Sequence, residues 1–187
     1  MDTQKPKSKR REILSWAITI AAAVVAALLI RAFVFEFVRV DGPSMQNTLF
    51  TDQEMLVTKV DYAFSSPQRG DIVICRFPEE EKLLVKRVIG LPGETIEAKG
   101  GKLYINGQES DNHYATAAPK DEWVDPSDPP QPNFDIVQIP DDCVFVLGDN
   151  RRDSRDSHVY GPLPLKGIYG VAHLVVYPFD QWKAIGK

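Results

Sequence analysis

The stretch Gly42-Pro43-Ser44-Met45-Gln46-Asn47-Thr48-Leu49 divides the chain into two unlike parts. Before it stands a long apolar run; after it come short strand-like segments separated by turn residues. Gly42 and Pro43 punctuate the backbone and set Ser44 at the start of a turn. A serine hydroxyl becomes an effective nucleophile when a neighbouring base takes its proton, so Ser44 is a candidate that needs a partner. Directly upstream, Phe33, Phe35 and Phe37 alternate with Val34, Glu36 and Val38. Period two is the signature of a strand, and this one runs through Val40 to the turn at Asp41-Gly42-Pro43.

The apolar run comprises residues 14–30, seventeen positions without a charge. At about 1.5 Å per residue a helix of that length nearly crosses a hydrocarbon core of about 30 Å. Continuing to Phe35 completes the span and leaves Arg31 to snorkel at the far interface. Residues 1–13 carry Lys5, Lys7, Lys9, Arg10 and Arg11 against Asp2 and Glu12, a net +3. That bias predicts a cytoplasmic basic tail (1–13), a transmembrane anchor (14–35) and an extracytoplasmic domain (36–187). The rival reading is a cleaved secretory signal. Against it, the apolar run is longer than a usual signal core, and Ala21-Ala22-Ala23 lie in its middle. A strand rises about 3.3 Å per residue, so Ser44 should stand within about 30 Å of the bilayer, where only a substrate at the membrane meets it.

The soluble part reads as short strands at residues 55–60, 71–77, 83–89, 95–98, 103–105, 134–139, 143–147 and 168–178. Turn residues separate them, and no long segment after the anchor shows helical periodicity, which predicts an all-β domain. Residues 108–140 differ: Pro119, Pro126, Pro129, Pro130, Pro132 and Pro140 stand among Asp111, Asp121, Glu122, Asp125 and Asp128. This is an acidic, proline-rich excursion, read as a surface loop in preference to a flap over the substrate.

The chain's net charge of −4 becomes −7 once the basic tail is set aside, which gives no reason to expect a nucleic-acid partner. Two cysteines, Cys75 and Cys143, are too few for a disulfide framework, and the sequence leaves their pairing open. The base for Ser44 is sought among the remaining residues. His113 and His173 read as a surface and a sheet residue. Lys86 lies in the apolar segment Leu83-Leu84-Val85-Lys86-Arg87-Val88-Ile89-Gly90. An unperturbed lysine has a pKa of about 10.4, so a working base must lose roughly three units, about 4 kcal/mol. Burial does this by penalising the ammonium. Because alternate residues of a strand face opposite ways, Lys86 can point inward while Arg87 stays in solvent. The bland alternative makes both of them exposed charges on an edge strand.

Four stretches in order carry a resemblance: GPSMQNTL at 42–49, RGDIVICRFP at 69–78, VKRVIGLPGE at 85–94 and GDNRRDSRDSHVYGPLP at 148–164. Together with the anchor they resemble bacterial type I signal peptidase (leader peptidase), a membrane-bound Ser/Lys protease, in its Gram-positive single-anchor form. The resemblance implies a mainly β, antiparallel-sheet catalytic domain behind one transmembrane helix. It implies Ser44 as nucleophile, Lys86 as general base and Ser154 as the hydroxyl that orients the amine. Asp149, Arg151 and Asp156 would brace the turn by ion pairs. It implies no cofactor and no metal. The substrates would be exported preproteins cut after Ala-x-Ala, beside the secretion translocon and at the lipid bilayer.

Three positions depart from the family's pattern. Gly42 stands where some members place a serine that helps the oxyanion, so stabilisation falls to backbone donors such as the Ser44 N–H. Asn47 stands where proline is usual, and His158 where arginine is usual, which calls one ion pair into question. A histidine commonly serves as a base, and His158 is the lesser candidate for that part. Two alternatives differ in class: a self-cleaving repressor of the LexA type, which the anchor and the lack of a DNA-binding helical domain disfavour, and a catalytically silent membrane-bound binding module, which the joint presence of Ser44, Lys86 and Ser154 disfavours.

Overall fold

A computed structural model describes residues 9–46, 48–111 and 132–186. Asn47, His113, most of the basic tail and most of the acidic excursion lie outside the described residues. Helix α1 (Lys9–Phe33) has 25 residues, none buried. At 1.5 Å per residue it is about 37 Å long, enough to cross a bilayer core. It starts earlier than the apolar run, and it takes Phe33 from the expected strand because the Val34 N–H still bonds to the Ile30 carbonyl. Strand β1 (Phe35–Arg39) follows almost at once. Phe35 and Phe37 lie on its exposed side, so the alternating phenylalanines are not core.

The remaining elements are β2 (Glu54–Thr58), α2 (Asp61–Phe64), β3 (Ile72–Cys75), β4 (Leu84–Gly90), β5 (Thr95–Lys99), β6 (Lys102–Ile105), β7 (Gln108–Glu109), β8 (Phe134–Gln138), β9 (Cys143–Leu147), α3 (Ser157–Tyr160), β10 (Leu163–Pro164), β11 (Ile168–Tyr177) and β12 (Lys183–Ala184). The larger sheet runs β1-β2-β11-β3-β4-β9-β10, with β12 on β11. The smaller runs β7-β6-β5-β8. Each of these pairings is antiparallel. The one-turn helices α2 and α3 are too short to show a helical period in the sequence. Strand β7 occupies what reads in the sequence as the start of the excursion.

Strand β3 is central and buried at every position. Ile72 and Ile74 join Val40, Met45, Leu49, Met55, Val57, Ala172 and Val175 on one side. Val73 and Cys75 join Phe77, Val88, Val144, Val146 and Leu163 on the other. Each fully buried aliphatic side chain contributes about 1.5–3 kcal/mol over an exposed one, and both faces of this sheet gain from it. Lys86, paired in register with Val73, and Arg87, paired with Ile72, therefore have no wet side to choose. Both are 2% exposed. The expectation that Arg87 stays in solvent is thus corrected: alternation puts the two side chains on opposite faces, but here both faces are covered. Cys75 and Cys143 are buried in separate clusters as free thiols.

Candidate active site

Ser44 lies on the connection between the paired strands β1 and β2. The chain turns helically there, with Gln46 N bonding to Pro43 O at 3.0 Å and Leu49 N to Met45 O at 2.8 Å. Met45 and Leu49, one helical turn apart, are 1% and 0% exposed and pin the turn into the core. Ser44 itself is half-buried. Gly42 has φ +96, a left-handed conformation that a serine would adopt only under strain. Among the described residues no hydrogen bond takes up the Ser44 N–H or Oγ.

The loop after β9 meets this turn. Asn150 N donates to Ser44 O at 3.0 Å, and Asn150 Nδ2 donates to Pro43 O at 3.3 Å. Gly148 stands where two residues converge: a Cβ there would lie 2.3 Å from Ser154 Oγ and 2.5 Å from Ser44 O. Only glycine fits, and its lack of a side chain is what lets the Ser44 backbone and the Ser154 hydroxyl come together.

Lys86 Nζ donates to Ser154 Oγ at 3.0 Å. Ser154 Oγ in turn donates to Asp156 Oδ2. A hydroxyl has one proton, so giving it to Asp156 commits Ser154 to accept from the lysine. Asp156 Oδ2 also accepts from Gly148 N at 2.8 Å. Its Oδ1 accepts from His158 N at 3.2 Å and lies 2.8 Å from His158 Nδ1. Asp156 is also the N-cap of α3. Burial would push its carboxyl up, but the bonds from His158, Ser154 and Gly148 outweigh that and hold it below the usual carboxylate range. Burial holds Lys86 below the ordinary lysine range, opposed in part by Asp156 and then Cys75. The Cys75 thiol is pushed up by burial to about 12, which keeps it protonated and unreactive.

The other side of β4 is held differently. Arg87 forms a bidentate pair with Asp149, Nε to Oδ1 at 2.8 Å and Nη2 to Oδ2 at 2.7 Å. Asp149 Oδ2 also accepts from Thr48 Oγ1 at 2.5 Å. The ion pair thus reaches the Ser44 turn through Thr48. The sequence reading places its bracing within the 148–156 turn and does not include this link to β4. Asp149 pairs across to β4, Arg151 Nε donates to the Gly148 carbonyl at 2.9 Å, and burial lowers the Arg151 guanidinium to about 10. Ser44, Lys86, Ser154, Asp149, Arg151 and Asp156 are all brought to one region. Sequence reasoning missed Arg87, Thr48, Gly148 and Asn150 as its supports. The one signal for Arg87 was the unbroken apolar run in β3, which marks a sheet covered on both faces. His173 lies exposed on β11, 2.7 Å from Thr58 Oγ1 and away from this site. Among the described residues no group of three or more His, Cys, Asp or Glu is placed to hold a metal ion.

A half-buried serine, a buried low-pKa lysine and a hydroxyl between that lysine and a carboxylate form a set suited to acyl transfer. The family model described as signal peptidase, peptidase S26, matches residues 13–177. The chain is 42% identical to signal peptidase I S of Bacillus subtilis (strain 168), over 94% of this chain and 95% of that one. It is 40% identical to a signal peptidase I of Bacillus amyloliquefaciens, over 97% of each. A solved signal peptidase I from Enterococcus faecalis V583 superposes with a TM-score of 0.50 at 34% identity, covering 57% of this chain and 97% of that one. The chain belongs to the signal peptidase family, peptidase S26, and is a serine endopeptidase of the signal peptidase I kind.

Proposed function

We propose that the chain removes N-terminal signal peptides from exported preproteins at the membrane, with Ser44 as nucleophile and Lys86 as general base. The observation that carries this reading is the partner of Lys86: a buried lysine bonded to a hydroxyl, Ser154, with no carboxylate of the described residues in direct contact. A neutral amine so held gives one N–H to Ser154 and keeps its lone pair for Ser44. The lone pair takes the Ser44 Oγ proton as the oxygen attacks the scissile carbonyl. The oxyanion that forms takes the Ser44 N–H. The Lys86 ammonium then returns the proton to the leaving amine, and water, activated by the same amine, hydrolyses the ester. Base and nucleophile need close to hydrogen-bonding distance only with substrate in place.

Ser154 orients the amine, Asp156 fixes Ser154, and the Arg87–Asp149 pair secures the Ser44 turn through Thr48. Cleavage follows Ala-x-Ala, with the peptide lying as an added strand beside the sheet and its small side chains in shallow pockets. Helix α1 is the anchor, with its N-terminus cytoplasmic and the β domain outside, beside the translocon. The exposed Phe33, Phe35 and Phe37, and Tyr177, Phe179 and Trp182 at the end of β11 and beyond, suit contact with lipid.

The test is cleavage of a preprotein whose signal ends in Ala-x-Ala by detergent-solubilised full-length protein. A cut after the second alanine, absent with Ser44→Ala, is the expected result. A folded protein that cuts none of several such substrates would leave the silent binding module as the better account.

A further inference from the structure

Beyond Lys86, Ser154 and Asp156 the chain of contacts has one more member, and it reaches solvent. Asp156 is 1% exposed and turns one oxygen to Ser154 and the other to the His158 ring, whose side chain is 20% exposed. We propose that His158 is a positioning residue for the Lys86 base, acting through Asp156 and Ser154, and that the charge on its imidazole sets the pH at which catalysis switches on. This rests on the Ser/Lys reading above.

The geometry separates this role from holding the fold. The His158 backbone N–H bonds to Asp156 Oδ1 independently of the ring, so α3 keeps its cap whatever side chain stands at 158. The ring adds a contact of 2.8 Å to the same oxygen. The Asp156 carboxylate favours the protonated form of Lys86, against the burial that disfavours it. A cation at 158 offsets part of that pull and lets the amine give up its proton at lower pH. A neutral ring leaves the pull intact. An imidazole is the one ordinary side chain that can present either form near neutral pH. Among the described residues, the other ionisable groups facing this cluster include Cys75 from β3, Lys86 from β4, and Asp149, Arg151 and Asp153 from the loop before α3.

The experiment is the pH profile of kcat/KM for full-length wild type, His158→Arg and His158→Gln on one preprotein, with Lys86→Ala alongside. The acidic limb of His158→Arg is expected about half to one pH unit below that of His158→Gln. On the limb that is roughly a three- to tenfold difference in rate. The wild-type limb is expected to lie between the two. Coupling is reciprocal. The His158 ring titration, followed by NMR in Ser44→Ala, should therefore move to higher pH when Lys86→Met removes the amine. Superposed profiles with Lys86→Ala inactive overturn the role of His158 alone. Full activity in Lys86→Ala removes the base, and the Ser/Lys reading falls with it.

Discussion

Lys86 and Arg87 are neighbours in one strand, equally buried, and treated in opposite ways. Arg87 meets a carboxylate in a two-pronged pair with Asp149. Lys86 meets a hydroxyl, with the nearest carboxylate one bond further on at Asp156. A buried cation with an ion-pair partner stays charged and fixes structure, whereas one denied direct contact with a carboxylate is driven towards its neutral form. The sheet thus builds a strut on one face and, on the function proposed above, a base on the other. Both serve Ser44: the strut through Thr48, and the base through the loop at Gly148.

Swapping each cation for methionine is the most direct way to break this contrast. Lys86→Met is expected to lower kcat/KM by at least about a thousandfold, as expected for removal of a general base, while the protein stays folded at undiminished stability. Arg87→Met strands the Asp149 carboxylate at 0% exposure and should cost about 3–5 kcal/mol of stability. Activity assays and urea unfolding of the two variants decide the matter. Loss of stability in Lys86→Met equal to that in Arg87→Met would mean that both lysine and arginine are structural.

Gly148→Ala attacks the point where the Ser44 turn and Ser154 meet. The added methyl must displace Ser154 Oγ or the Ser44 carbonyl. Overpacking of this kind costs about 1–3 kcal/mol, and a displacement near 1 Å at reacting groups costs up to about a hundredfold in rate. The expected signature is a fall in kcat with KM little changed. An alanine variant with wild-type kcat would show that the two serines need not approach so closely.

The β architecture was legible because its strands are short, apolar and punctuated by Gly, Pro and Asn-Gly turns. Lys86 as an inward residue was one of two readings the strand allowed, and only the resemblance chose between them. Arg87 was misread because alternation reports which residues share a face and is silent on whether a face is wet. The answer lay in the neighbouring strand, where Ile72-Val73-Ile74-Cys75 is apolar on both sides. The meeting of Ser44 with Ser154 across more than a hundred residues left no local trace. Only the order of the four motifs pointed to it. Asp156 as a helix cap did have a local sign, an Asp before Ser-His-Val-Tyr, but a four-residue helix offers no periodicity to draw attention to it.

The pH dependence of stability sharpens the contrast most finely. Burial depresses the folded-state pKa of Lys86 below its unfolded value. Between the two values the unfolded chain binds a proton that the native protein does not, so unfolding free energy rises with pH. The slope from this one group is about 1.4 kcal/mol per pH unit. Below the folded value both states are protonated, and the full cost of burying the ammonium is felt. That cost fades as pH climbs towards the ordinary lysine value. The wild type should therefore gain on Lys86→Met as pH rises, with the gap widest on the acid side of the window. Urea midpoints for the two proteins at a series of pH values give the answer. A constant gap between wild type and Lys86→Met would mean that the lysine keeps an ordinary affinity for its proton, and the contrast between the two faces of β4 would dissolve.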